Sequence, residues 1–278
     1  MRLAAGKNLG KAWLLVGMLA GLFGASGYAL NGWNGTSLFV FCALLAAAAV
    51  YAYGDRALLG MLGAREYALA EDPILRSTVD ALSAKLGVTP PKLYLVADGF
   101  PRAFAVGRGP RGSALAVSTG LLGALRPAEL EGVLAHELAH VRSRDVLVQT
   151  LAVMLAVVLV DLSRIGGWFE RALRSVLAPV AAAFVHLLLS PRREFAADRL
   201  AAELCGTPHG LADALLRLDA ASELVSFEAH PATEPLYTTN PFEEEGVTAL
   251  FVTHPPLEER VARLRDLDPD WRAKLRAA

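Results

Sequence analysis

Two of the six histidines in this 278-residue chain stand four apart, in Ala135-His136-Glu137-Leu138-Ala139-His140-Val141. Residues four apart share one face of an α-helix, so His136 and His140 point the same way. Two neutral imidazoles side by side are a ready pair of zinc ligands. Glu137 lies one step round the helix, where it can reach a metal-bound water without displacing it. A catalytic zinc usually has three protein ligands and an open position, so another donor must come from elsewhere in the chain. The best candidate is Glu194, in Ser190-Pro-Arg-Arg-Glu-Phe-Ala-Ala-Asp198. Asp198 is one helical turn further on and shares its face. One carboxylate can then bind metal while the other accepts the free N–H of a ligand histidine and fixes its tautomer.

Two helices must carry these groups. Pro127 suits a first helical turn, Glu129 and Glu131 favour its positive end, and Leu130, Val133, Leu134 and Leu138 give it an apolar face. This predicts a helix from near Pro127 past His140 to Arg142 and Arg144. A second is predicted over Arg192 to Leu204. Between them lie two apolar runs, Val146 to Val160 and Ser175 to Leu189, joined by a loop with Asp161, Arg164, Glu170, Arg171 and Arg174. The runs read as a second membrane hairpin or as a buried hairpin of a soluble domain. Basic pairs at both feet, Arg142 with Arg144 and Arg192 with Arg193, favour the membrane reading. If the hairpin enters a bilayer, a metal shared by His140 and Glu194 sits at the membrane surface.

Composition agrees with a membrane protein. Apolar residues make up 54% of the chain, more than a soluble protein of this size needs. The net charge of −1 and the lack of a basic run count against nucleic acid as a partner. Cys42 and Cys205 suggest neither a disulfide framework nor metal-ligand spacing. Ala12 to Leu30 carries no charge and is long enough to cross a bilayer, and a second uncharged run, Thr36 to Tyr53, follows at once. Together they read as a hairpin of two spans rather than a cleaved signal peptide. Arg2, Lys7 and Lys11 precede it and Arg56 and Arg65 follow it, which puts both flanks in the cytoplasm. The expected organisation is a membrane hairpin over 1–54 with spans at about 12–30 and 36–53. The first part of a catalytic domain follows over 55–145, the second hairpin over 146–190, and the rest of the domain over 191–278.

Within the catalytic region, Asp72-Pro73 reads as the cap and first turn of a helix ending at Gly87. Leu93 to Val96, Ala103 to Val106 and Ala114 to Ser118 read as short strands. The fold class is therefore α+β, mainly α-helical. Zinc peptidases commonly bind substrate as an added strand on a sheet edge beside the metal. Gly210 to Leu218 is a further helix, Glu223 to Thr253 an irregular loop, and His254-Pro255-Pro256 opens a last helix. His186, His209 and His230 lack partners at ligand spacing and read as structural or surface residues.

With these motifs in place, the chain resembles the HtpX family of membrane zinc metalloproteases, relatives of the type I CaaX prenyl proteases. The resemblance runs through the two leading spans, Ala103-Phe-Ala-Val-Gly-Arg108, Ser118-Thr-Gly-Leu-Leu122, the His136-Glu137-x-x-His140 helix, Glu194-Phe-Ala-Ala-Asp198 and Thr253-His-Pro-Pro-x-Glu-Glu-Arg260. It implies a gluzincin-type fold and one Zn2+ per chain, held by His136, His140 and Glu194. Glu137 would be the base, His254 an extra donor to the oxyanion, and Arg260 would position the His254 segment or pair with a site carboxylate. Ala103, Phe104 and Ala105 would form the substrate-binding edge. Arg102 departs from the pattern, because the family usually has asparagine there. The resemblance further implies a bacterial inner-membrane endopeptidase facing the cytoplasm and acting on misfolded or membrane polypeptides. A narrow-specificity processing protease and a zinc-stabilised membrane adaptor are the alternatives. The presence of Glu137 speaks against the adaptor, since a structural zinc needs no base.

Overall fold

The computed structural model describes residues 2–68, 72–164, 191–222 and 255–268, with single positions between 178 and 189 and at 233, 236 and 270. His230 and His254 lie outside the described residues, as does nearly all of the loop expected over 223–253.

The chain opens with a long apolar helix, α1 (Arg2–Met61), broken at Asn31 (φ −151°, ψ 33°) and Gly32 (φ 56°, ψ −145°). Glycine takes the positive φ without a Cβ clash, so Gly32 turns the chain back on itself. The two halves then touch: Thr36 Oγ1 donates to the carbonyl of Gly24 at 3.3 Å. A Cβ on Gly27 would lie 2.3 Å from the carbonyl oxygen of Gly35. Many of the apolar side chains of α1 face outward. Leu22, Leu30, Leu38, Phe41 and Leu45 are exposed, and Trp33 is 77% exposed. Aromatic side chains mark both ends of the hairpin, with Trp13, Tyr51 and Tyr53 at its foot and Tyr28 and Trp33 at its tip.

A four-stranded sheet follows. Its strands are β1 (Ala64–Glu66), β2 (Lys92–Val96), β3 (Ala103–Gly109) and β4 (Gly112–Ser118), in the order β1-β2-β4-β3. β2 and β4 run parallel, while β1 with β2 and β3 with β4 are antiparallel. Helix α2 (Pro73–Leu86) lies between β1 and β2 in sequence. Asp72 caps it by accepting the N–H of Leu75 at 2.9 Å, and Gly87 closes it in the left-handed region. The strands expected from alternation and turn residues are those observed, within a few residues at their ends. β1 was not expected, because its three residues show no alternation to read. The short helix α3 (Thr119–Ala124), capped by Ser118, was not expected either.

The sheet is covered on both faces. Val96, Phe104, Val106, Ala114 and Ala116 face a core with α1 and α5 (Asp145–Arg164). Leu93, Leu95, Ala103, Ala105, Leu115 and Val117 face a second core with α2 and α4 (Pro127–Ser143). Burial on both faces explains why β4 reads as a continuous apolar run. The first turns of α5 are buried rather than exposed: Val146, Leu147, Val148, Ala152 and Val153 are all core residues. Ala178, Ala182, Val185 and Leu189 are buried too, at helical spacing, while residues 165–177 lie outside the described part.

α6 (Pro191–Cys205) and α7 (His209–Ser222) complete the packing around α4, and α8 (Leu257–Asp266) lies on both. The α4–α7 crossing is tight because both helices present glycine. A Cβ at Gly132 would lie 2.7 Å from the backbone nitrogen of Leu211, and one at Gly210 would lie 2.5 Å from the carbonyl oxygen of Ala128. Arg217 of α7 also donates to Glu129 Oε2 at 2.9 Å, and Glu129 in turn accepts the N–H of Arg126 at 2.8 Å. Gly132 is one turn before His136 on the same helix face. Gly132→Val should therefore force α7 away from α4 and cost roughly 1–3 kcal/mol of stability, the usual range for overpacking. Denaturant titration of the purified protein in detergent checks this; an unchanged midpoint would mean that the crossing has room to spare.

Candidate metal centre

The two histidines share the inner face of α4 and are buried, at 2% and 4% exposure for His136 and His140. Their Nε2 atoms stand 3.2 Å apart. Glu194, from α6, completes a cluster in which one donor atom from each of the three residues lies within 4.8 Å of the others. Glu194 Oε2 is 3.4 Å from His136 Nε2, and Oε1 is 3.6 Å from His140 Nε2.

Each imidazole is held from behind. His136 Nδ1 lies 2.8 Å from Asp198 Oδ1, and Asp198 accepts two hydrogen bonds from Arg260 of α8, at 2.9 and 2.7 Å. His140 Nδ1 lies 3.2 Å from Asp145 Oδ2, which also accepts from Ser143 Oγ at 2.6 Å. Ionised carboxylates only accept hydrogen bonds, so each Nδ1 carries a proton, and each Nε2 has a lone pair to offer when a cation takes the place of its own proton. Both lone pairs are aimed at one point. Two lone pairs 3.2 Å apart repel unless a proton or a cation lies between them.

Charge leads to the same conclusion. Glu137, Asp145, Glu194 and Asp198 are all buried. Arg260 pairs with Asp198, and Arg193 Nε pairs with Glu194 Oε1 at 3.0 Å. These guanidiniums balance two of the four carboxylates, and a divalent cation at the His136–His140–Glu194 focus would balance the other two. The donor set of two imidazoles and one carboxylate suits zinc with an open position.

The elements explain the geometry. Arg144 alone joins α4 to α5, and it sits in the left-handed region at φ 64°. That conformation costs a non-glycine residue on the order of 1–2 kcal/mol. It turns the chain sharply enough to bring Asp145, in the first turn of α5, back beside His140. On α6, the four-residue spacing of Glu194 and Asp198 presents both carboxylates to α4. Arg193 also donates to Gln149 Oε1 of α5 at 3.2 Å, which ties α6 to the other end of the apolar segment.

Sequence reasoning placed His136, His140, Glu194, Asp198 and Arg260, and the structure brings these five together. It missed Asp145 and Ser143; the signal was an acid five residues after the second histidine, with no motif to single it out. Glu137 reaches the sheet edge, where its Oε2 accepts the N–H of Ala105 at 3.0 Å. Ala103, Phe104 and Ala105 are buried on β3, the edge strand, and the next outward N–H, that of Gly107, is taken by Thr150 Oγ1 at 3.1 Å. Arg102 is turned back, with Nη2 2.8 Å from Asp98 Oδ2. His209 bridges α7 and α8 through Arg265 and Asp268, which fits its structural reading.

Burial pushes the Glu137 carboxyl above its ordinary value, as a proton-accepting group near neutrality requires. Asp198 goes the other way. Burial raises it, but the charge and hydrogen bonds of Arg260 outweigh burial and hold it at about 2. The hydrogen bond and charge of His140 likewise hold Asp145 at about 2 against its burial.

A helical catalytic layer on a small sheet, with a buried His-Glu-x-x-His and a third carboxylate, defines a metalloprotease. Comparison with known proteins places it more closely. Residues 69–268 match Peptidase family M48. The chain is 42% identical to the protease HtpX homolog of Acidiphilium cryptum over 94% of this chain and 96% of that protein. It is 38% identical to the homolog of Pyrococcus abyssi over 91% and 94%. The chain belongs to peptidase family M48, and within it to the HtpX proteases. In fold it is similar to the crystal structure of S. mikatae Ste24p, with a TM-score of 0.50 and 18% identity over 93% of this chain and 64% of that one. The exposed apolar α1 and the HtpX relatives together mark a membrane protein.

The folded-state pKa of Asp198 lies below its ordinary 3.8. Its share of stability is therefore full above pH 4 and is lost as the pH falls towards about 2. In metal-free protein, wild type should lose about 2 kcal/mol across that window, a share that Asp198→Asn lacks throughout. Melting curves from pH 5 to pH 2 for the two proteins measure it. Parallel curves would show that the Arg260 pair contributes no pH-dependent stability.

Proposed function

We propose that the protein is a zinc endopeptidase of the bacterial inner membrane that cleaves misfolded or membrane polypeptides at the cytoplasmic face. The observation that carries this reading is the convergence of His136, His140 and Glu194 within 4.8 Å, with Glu137 joining the cluster to the β3 edge. His136 and His140 hold the metal through Nε2, and Glu194 through its carboxylate. When bound, zinc supplies a Lewis acid and a water acidified to a pKa of about 7. Asp198, backed by Arg260, and Asp145, backed by Ser143, keep the histidines in the ligating tautomer.

Substrate pairs with β3 along Ala103, Phe104 and Ala105, where backbone hydrogen bonds give affinity with little sequence preference. That suits an enzyme that meets many unfolded chains. A peptide carbonyl that takes over the Ala105 N–H releases Glu137 Oε2 as the substrate arrives. Glu137 then accepts a proton during attack on the scissile carbonyl and returns it to the leaving amine. His254 is assigned to the developing oxyanion on the resemblance of its Thr253-His-Pro-Pro segment.

The membrane reading rests on α1. Its two halves form a hairpin whose exposed apolar side chains need lipid. Trp13 at the foot and Tyr28 at the tip are separated by roughly 20–25 Å of helix, and aromatic residues favour the two interfaces of a bilayer. Basic residues outside both ends of the hairpin keep them in the cytoplasm. From its sequence, the second apolar segment, over 146–190, is read as a second hairpin that would hold α4 and α6 together at the membrane surface.

Glu137→Gln should keep one zinc per chain while peptide hydrolysis falls by about 100-fold or more, because the amide fills the same space but cannot take the proton. Casein cleavage with and without chelator, alongside the zinc content of the same samples, is the test. Substantial turnover by the variant would remove Glu137 as the base.

A further inference from the structure

The N-terminal helix reaches the carboxylate that backs a metal ligand. Asn8, in the first turns of α1, is buried, with Ala12 and Leu15 buried on the turns that follow. Its Nδ2 donates to Asp145 Oδ1 at 2.5 Å, across 137 residues of sequence, and to the carbonyl oxygen of Ser143 at 3.0 Å. Both partners are acceptors, which settles which amide atom faces them. Asp145 thus uses its two oxygens for two tasks. Oδ2 faces His140 Nδ1 at 3.2 Å, and Oδ1 is held by Asn8. The Ser143 carbonyl is one of those at the C-terminal end of α4 that have no partner within the helix, and Asn8 satisfies it. The amide therefore clamps the α4–α5 corner, where Arg144 holds its left-handed conformation.

A buried amide has a desolvation cost unless its hydrogen bonds are made, and polar groups near the end of a membrane helix have a reason to be there. We infer that Asn8 is a positioning residue for the metal centre: it fixes the Asp145 carboxylate, and through it the aim of His140 Nε2. The inference rests on the zinc reading of the site. It makes correct seating of the first membrane helix a condition for metal retention. Any event that displaces the N-terminal turns, such as proteolytic trimming, then loosens the metal without touching a ligand.

The test is the rate of zinc loss to a chromogenic chelator from full-length protein in nanodiscs. Asn8→Leu removes both donors and suits an apolar helix. Asn8→Asp keeps the size and polarity but sets a carboxylate against Asp145. Each should speed zinc loss by on the order of tenfold, at the lower end of what partners of metal ligands deliver. In an Asp145→Asn background the same Asn8→Leu change should add less than about twofold, because its route to His140 is already cut. A merely structural role would instead lower the melting temperature and leave the two effects multiplicative. Unchanged zinc loss in both Asn8 variants overturns the inference, as does a full Asn8→Leu effect in the Asp145→Asn background. Should Asn8→Leu fail to insert, Asn8→Asp decides alone. A wild-type protein that holds no zinc at all would instead overturn the zinc reading.

Discussion

Two imidazole nitrogens 3.2 Å apart, both presenting lone pairs, cannot stay buried without something positive between them. Much of the structure serves to impose that arrangement. Asp198 and Asp145 fix the Nδ1 protons from behind, one held by an element remote in sequence and the other by a sharp local turn. Arg260 comes from α8, and the α4–α5 corner depends on a non-glycine residue in the left-handed region. The cost of burying four carboxylates and of the Arg144 conformation is offset when a divalent cation occupies the focus. The same arrangement explains why the catalytic helix is packed so closely. Gly132 and Gly210 let α7 approach α4 backbone to backbone, so the ligand face has little room to rotate.

Beyond the shared apolar core, the sheet edge and the metal helix are joined by a hydrogen bond from Ala105 N–H to Glu137 Oε2. A free strand edge and a catalytic base are both hazards in a protease, one for aggregation and the other for unwanted hydrolysis. Here each covers the other. A strand edge is also the recognition device that asks least of a substrate's sequence. The membrane hairpin adds location. Its exposed apolar surface ties the catalytic layer to lipid.

Much of this was legible in the sequence, because helix-borne motifs encode their geometry locally. The spacing of His136 and His140, and of Glu194 and Asp198, fixes which side chains share a face, and Asp72-Pro73 and Gly87 mark the ends of α2 directly. What stayed hidden depends on the path of the chain. Nothing in Asp145 distinguishes it from other acids until Arg144 turns left-handed. Asn8 shows no signal at all, since its partners lie more than a hundred residues away. β1 is too short for alternation, and its strand character comes from pairing with β2. The apolar run from Val146 reads from its flanking basic pairs as a membrane hairpin rather than as core. Burial of its first turns against β3 and α1 is a tertiary outcome that hydropathy does not distinguish.

The central claim is that Glu194, brought from the far side of the apolar segment, is the third zinc ligand. Zinc content per chain, measured by atomic emission on Glu194→Ala and wild type purified in parallel from membranes, tests it most directly. The account predicts close to one zinc per chain in wild type and a large loss in the variant, with the helical signal of both proteins unchanged. A Glu194→Ala protein that kept its full complement of zinc would contradict it.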